Sequence, residues 1–147
     1  MTQIVRFQKL DDRAVQPQYG SAYAAGADLY AVLDAPLTLA AGETALVHTG
    51  LAVEIPEGFV GLVCARSGLA TKRGLAPANK VGVIDADYRG EIMVALHNHG
   101  TLPQTIEHGE RVAQLLLMPY LTAVYEKAES LTDTDRGAGG FGSTGMK

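Results

Sequence analysis

Residues 79–96 constrain the possible folds more than any other stretch of this chain. An apolar run at residues 81–84 delivers Asp85 to a turn-forming set, Asp85, Ala86 and Asp87, followed by Tyr88, Arg89 and Gly90. A second apolar run leaves at residues 91–96. Two short apolar runs around reversal-favouring residues predict a β-hairpin. Its tip carries two carboxylates, a tyrosine and an arginine, more than a bare turn needs. The same grammar recurs along the chain. Strands are expected at residues 4–7, 28–32, 59–65 and over most of 111–125, and alternation at 44–55 predicts a long half-buried strand. Only residues 67–73 break the pattern, where a turn or two of helix fits, with Ser67 as N-cap and Gly74 as the stop. Strands at short spacing with little helix imply an all-β domain, a closed β-barrel or a double-sheet jelly roll.

The length, 147 residues, suits one domain with a real core. We expect a single β-barrel domain over residues 1–132 and a glycine-rich, mobile C-terminal arm over residues 133–147, where the apolar pattern has stopped. Abundant glycine (17 residues) fits many tight turns. The single cysteine, Cys64, excludes an intrachain disulfide and makes a reducing, cytoplasmic setting the expectation. No run approaches the roughly 20 apolar residues of a membrane span, and no signal peptide is visible. A net charge of −4 without a basic run argues against a nucleic-acid polymer as partner. A small polyanion remains open, provided a few placed arginines and a metal ion meet its charge.

Four other stretches accompany the hairpin: Ala25-Gly26-Ala27-Asp28-Leu29, Ala65-Arg66-Ser67-Gly68-Leu69-Ala70, Gly109-Glu110-Arg111-Val112-Ala113-Gln114, and Arg136-Gly137-Ala138-Gly139-Gly140-Phe141-Gly142-Ser143. In order, and over nearly the whole chain, the five resemble the signature motifs of the dUTPases, enzymes that hydrolyse dUTP to dUMP and pyrophosphate. The resemblance implies a distorted jelly roll of the β-clip type. It also implies a homotrimer with active sites shared between subunits, Mg²⁺ as cofactor, and water attack on the α-phosphorus. The role implied is to limit uracil incorporation into DNA and to supply dUMP for thymidylate synthesis.

Such chemistry needs an aimed water, neutralised phosphates and a site that reads the base. Asp85 is the candidate that orients and deprotonates the water; a carboxylate is a weak base and works mainly by positioning. Asp87 is the rival carboxylate, more naturally a support of the hairpin. By resemblance, backbone groups of Val83, Ile84 and Met93 with the Asn79 amide bind the uracil edge, and Tyr88 packs under the deoxyribose and excludes a ribose hydroxyl. Arg66, Ser67 and Gly68 read as a phosphate clamp, a planar fork of donors beside a hydroxyl and free amides. The family often has proline where this chain has Ala65, a loss of rigidity but of no donor. Asp28 is implied to contact Mg²⁺ through water. Strict alternation puts Arg111 and Gln114 on opposite faces unless a bulge intervenes; Gln114 is then the phosphate-facing residue and Arg111 structural.

The tail lacks the ending of a Walker loop. Its glycines allow wrapping, with Arg136 and Ser143 on the γ-phosphate and Phe141 stacked on uracil. His97 and His99 suggest a metal only weakly, since no third ligand is evident; both read as strand residues, and His48 as a core or interface residue. Two rivals stand beside the dUTPase reading. The related dCTP deaminases carry a glutamate where this chain has Asp85, and a non-catalytic nucleotide-sensing trimer would use the same pocket to bind a protein.

Overall fold

The structure, a computed structural model, describes residues 2–140. The elements run β1 (Arg6–Lys9), β2 (Gln18–Tyr19), β3 (Ala27–Tyr30), β4 (Leu37–Leu39), β5 (Thr44–Glu54), β6 (Phe59–Cys64), α1 (Ser67–Arg73), β7 (Leu75–Pro77), β8 (Val81–Ile84), β9 (Glu91–Asn98), β10 (Gln104–Ile106) and β11 (Arg111–Pro119). They build a four-stranded sheet ordered β1-β5-β9-β7, a five-stranded sheet ordered β2-β3-β11-β6-β8, and the small pair β10-β4. Every strand pairing is antiparallel. The architecture is the expected all-β distorted jelly roll with one short helix. No helix among the described residues is long and apolar enough to cross a membrane.

Strand alternation drives the packing. On β9, Ile92, Val94, Leu96 and Asn98 point inward and are fully or almost fully buried. They meet Leu29, Leu39, Val47, Leu75, Ile106 and Val112 in one core. Burying a leucine or valine of this kind is worth about 1.5–3 kcal/mol relative to exposure. Asn98 survives in that core because its amide donates to the carbonyls of Leu39 (3.1 Å) and Leu102 (2.8 Å), and its Oδ1 accepts from Gly100 N–H (2.9 Å).

Several expectations need correcting. Residues 81–84 and 91–96 do not form a ladder with each other: β8 pairs with β6, and β9 pairs with β5 and β7. The connection at residues 85–90 is longer than the two-residue turns that pin a tight hairpin, so it crosses between the two sheets instead. β5 is half-buried only at its start. From Thr49 to Val53 both faces are covered, because Ala14 and Val32 form a second small core against Leu51. The helix is capped at Arg66, not Ser67, and no side chain bonds the cap; Gly74 ends it at φ 66° with its N–H on the Ala70 carbonyl. β11 stops at Pro119 rather than continuing to residue 125, and His99 lies just beyond β9.

Candidate active site

The splayed connection leaves a slot between the sheets. β8 is the edge strand of its sheet, and its free edge faces the slot. On β9 the pairing to β7 begins only at Leu96, with one more bond from Ala78 N–H to the Ala95 carbonyl (2.7 Å). Residues 92–94 therefore have no ladder partner on that side among the described residues. The result is a cavity of about 310 Å³ between two lines of unused backbone donors and acceptors. It is lined by six of the predicted site residues, Asn79, Val83, Ile84, Asp85, Tyr88 and Met93.

Local sequence explains the shape. Gly82 lies against β6: a Cβ there would come within 3.1 Å of the Val63 Cβ and 3.4 Å of the Asn79 amide nitrogen. Gly90 leaves room for Tyr88, whose hydroxyl would be 2.3 Å from a Cβ at that position. The tyrosine thus folds back over Gly90 and donates to the Glu91 carbonyl (3.0 Å), leaving the residue 41 % exposed beside the slot. Asp85 is exposed at the lip, its carbonyl accepting from Tyr88 N–H (3.1 Å). Asp87 lines a different groove, with Arg6, Glu57 and Arg89. The geometry therefore separates the two carboxylates and gives the slot to Asp85.

A second cluster forms where β3, β6 and β11 run side by side. Cross-strand register aligns Asp28, Gln114 and Cys64 in one row. Asp28 is 9 % exposed, and both its oxygens are occupied: Oδ1 accepts from Arg66 Nε at 2.7 Å and Oδ2 from Arg111 Nη1 at 3.2 Å. Gln114 Nε2 donates to the Ala65 carbonyl (2.8 Å), tying down the residue before Arg66. Gly26 is needed beside it, because a Cβ there would sit 2.3 Å from the Gln114 Oε1.

The separation of Arg111 from Gln114 does not hold. A bulge lies between Arg111 and Ala113, with Arg111 opposite Tyr30 and Ala113 opposite Leu29. The extra residue, Val112, is fully buried, and Arg111 returns to the face of Asp28 and Gln114. Arg111 belongs to the cluster, a member that regular alternation hides. Ser67 and Gly68 are exposed at the start of α1, and a Cβ at Gly68 would meet nothing within 4 Å. Among the described residues no three acidic, histidine or cysteine side chains group as metal ligands. Both Asp28 oxygens are taken up by arginines, so this carboxylate has no free oxygen for direct ligation of a metal ion.

The remaining candidates lie apart. Arg136 sits in an exposed turn and donates from Nε to the Gly139 carbonyl (2.8 Å); Phe141 and Ser143 lie outside the described residues. His97 bonds the Thr44 hydroxyl (2.7 Å) and meets His99 edge to face at 4.3 Å. The His99 pKa is lowered by desolvation, then by Lys80 and His97. His48 is exposed rather than part of the core and pairs with Glu91 (2.9 Å).

The slot and the cluster occupy opposite ends of one ladder. Cys64 pairs with Val81, so Arg66 lies beyond the β7 end of β8, whereas Gly61 pairs with Ile84 and Asp85 follows at the other end. Continuing that register, Asp85 falls beside Val60 and Arg66 lies six residues further along, roughly 20 Å away at about 3.3 Å per residue.

The sequence model of the dUTPase family matches residues 12–145. The chain belongs to the dUTPase family. A deoxyuridine 5'-triphosphate nucleotidohydrolase of Desulfitobacterium hafniense (strain DSM 10664 / DCB-2) is 48% identical over 143 residues, covering 97% of this chain and 95% of that protein. Among solved structures, the Staphylococcus bacteriophage 80alpha dUTPase with dUPNHPP superposes with a TM-score of 0.88 at 29% identity, covering 98% of this chain and 99% of the other. The dUTPase from phage phi11 of S. aureus gives a TM-score of 0.80 at 25% identity, over 90% of this chain and 100% of its own. Both are similar to this dUTPase-family chain across almost the entire barrel.

Proposed function

We propose that this protein is a dUTP diphosphatase that hydrolyses dUTP to dUMP and pyrophosphate by attack of water on the α-phosphorus. The observation that carries the proposal is the slot between β8 and β9, two facing backbone edges left unpaired with Asp85 at the lip. A flat pyrimidine entering there takes the place of a neighbouring strand and satisfies both edges. Backbone groups of Val83, Ile84 and Met93 and the Asn79 amide pair with uracil. Groups left unpaired by cytosine carry a large penalty, while the thymine methyl meets backbone. Tyr88 packs beneath the sugar, where a 2′-hydroxyl has no room.

Asp85 orients the attacking water and accepts its proton as the oxygen closes on phosphorus. Arg66, Arg111 and Gln114, with the Ser67 hydroxyl and the amides of Ser67 and Gly68, supply the phosphate-binding half. That half stands at the far end of the ladder from Asp85, an arrangement that favours a site whose two halves come from different subunits. A homotrimer with shared sites meets that condition. The segment after β11 supports the same reading: Leu121, Val124 and Tyr125 are at least 95 % exposed, a state that favours cover by a second copy of the chain. Mg²⁺ carried on the phosphates would neutralise the departing pyrophosphate, with Asp28 as its water-mediated anchor. The arm over residues 133–147 closes the site, Arg136 and Ser143 meeting the γ-phosphate and Phe141 the base. The reaction would limit uracil in DNA and supply dUMP, in the cytoplasm that the single cysteine leads us to expect.

The test is pyrophosphate release from dUTP, with dCTP and dTTP as controls, in wild type and Asp85→Asn. The substitution keeps size and most hydrogen bonding while removing the base, so dUTP should still bind and turnover should fall roughly 10²-fold or more. Wild-type turnover in the variant would refute the assignment of Asp85, and absence of pyrophosphate from wild type would refute the activity.

A further inference from the structure

We infer that Glu91 is a specificity-positioning residue: it ties the Tyr88 ring to a rigid bulge in β5 and so sets the discrimination between deoxyribose and ribose. The β5–β9 ladder breaks between His48 and Ala52, where Gly50 adopts φ 66°. A peptide N–H turned out of register by such a bulge needs another acceptor. Glu91 supplies it. Its Oε1 accepts from Gly50 N–H at 2.8 Å, and its Oε2 bonds the His48 ring at 2.9 Å.

The bulge itself is a fixed reference. Leu10 N–H bonds the Gly50 carbonyl (2.7 Å) and Val32 N–H the His48 carbonyl (2.8 Å). A Cβ at Gly50 would lie 2.9 Å from the Ala14 Cβ, so the backbone there is closely packed. Glu91 is also the first residue of β9, and its carbonyl holds the Tyr88 hydroxyl at 3.0 Å. A continuous path therefore runs from the packed bulge through the Glu91 side chain and backbone to the tip of the ring. Glu91 borders the slot, but both its carboxylate oxygens are engaged at the bulge, so its action runs through Tyr88. Without it, the start of β9 keeps its ladder place opposite Ala52 and the Thr49 bond to the Ile92 carbonyl but loses its side-chain tie to the bulge, and the ring gains room to retreat from a 2′-hydroxyl.

This inference rests on the reading of Tyr88 as the floor of the sugar site. The experiment compares kcat/KM for dUTP and UTP in wild type, Glu91→Ala, Glu91→Gln, Tyr88→Phe, Tyr88→Ala and the Glu91→Ala/Tyr88→Phe double variant. In Glu91→Ala the dUTP/UTP ratio should fall roughly tenfold, the change expected for losing one ordering hydrogen bond, and mostly through KM for UTP. Glu91→Gln retains an oxygen for Gly50 N–H and should restore most of the ratio. Tyr88→Phe should match Glu91→Ala, and the double variant should lose little more, because both break one path. A Glu91→Ala protein that melts earlier but keeps the wild-type ratio would overturn the inference and leave Glu91 a structural brace. If Tyr88→Ala relaxes the ratio while Glu91→Ala does not, the positioning role alone fails; if neither relaxes it, the sugar-floor reading fails with it.

Discussion

Gly26→Ala adds one methyl group and should disable the proposed phosphate-binding half from outside it. The added Cβ would lie 2.3 Å from the Oε1, 2.9 Å from the Cδ and 3.2 Å from the Cβ of Gln114. Rotating the amide away relieves the first two contacts but not the third, which is fixed to the β11 backbone. Rotation also breaks the 2.8 Å bond to the Ala65 carbonyl and leaves that partly buried acceptor without its partner. The two costs together come to about 1–3 kcal/mol. For a domain of this size that is a fall in Tm of roughly 3–9 °C. Activity should suffer more than stability, because Ala65 precedes Arg66 and a shift near 1 Å at a positioning group costs up to roughly 10²-fold. The assays are thermal unfolding at fixed protein concentration and kcat/KM for dUTP. The double variant Gly26→Ala/Gln114→Ala separates the causes: it should regain stability relative to Gly26→Ala without regaining activity. A Gly26→Ala protein that melts within about 1 °C of wild type at full kcat/KM would refute the reasoning.

Arg111→Ala should lower kcat/KM for dUTP about tenfold and cost about 1–3 kcal/mol of stability, because it leaves the buried Asp28 carboxylate with Arg66 as its remaining partner; unchanged kinetics would return Arg111 to a structural role. Asp11 titrates near 2 instead of 3.8 because of the Arg13 side-chain hydrogen bond and then the Arg13 backbone N–H. A depressed carboxylate adds stability that is complete above about pH 4 and lost as pH falls through about 2. Asp11→Asn should therefore be less stable than wild type at pH 7 and converge with it only as pH falls below about 2 in denaturant melts, and a difference that persists there would point to packing instead.

The sequence announces residues whose role is local. Gly74 stops a helix, β9 alternates cleanly, and Asn79 to Tyr88 gather at one cavity because they are neighbours along the chain. The short strands β2, β4, β7 and β10, two or three residues each, leave no periodic trace because a period needs more residues than they have. Arg111 was legible only up to a choice of face. A period of two assigns it away from Gln114, and one buried extra residue, Val112, reverses that assignment without altering the apolar pattern.

The deeper limit is long-range. An apolar run reads the same whether its strand pairs with the next one or with a distant one, so residues 81–84 and 91–96 predict a hairpin although their ladders lie in different sheets. On the proposed reading that difference decides the chemistry. Paired to each other, β8 and β9 would consume the backbone groups that now face the slot, and a pyrimidine would find none to meet. Splayed, they leave donors and acceptors facing an open slot, where a flat ligand with complementary edges can take the place of water. The same crossing places Asp85 at one end of the β6–β8 ladder and Arg66 at the other, so on the proposed reaction each chain holds two halves of two different sites. Activity should then depend on assembly: mixing inactive Asp85→Asn chains with inactive Arg66→Ala chains should restore turnover in mixed trimers, which can combine an intact Asp85 with an intact Arg66 from a neighbour. A site contained within one chain could not be restored that way, because every chain in the mixture would carry a defective copy.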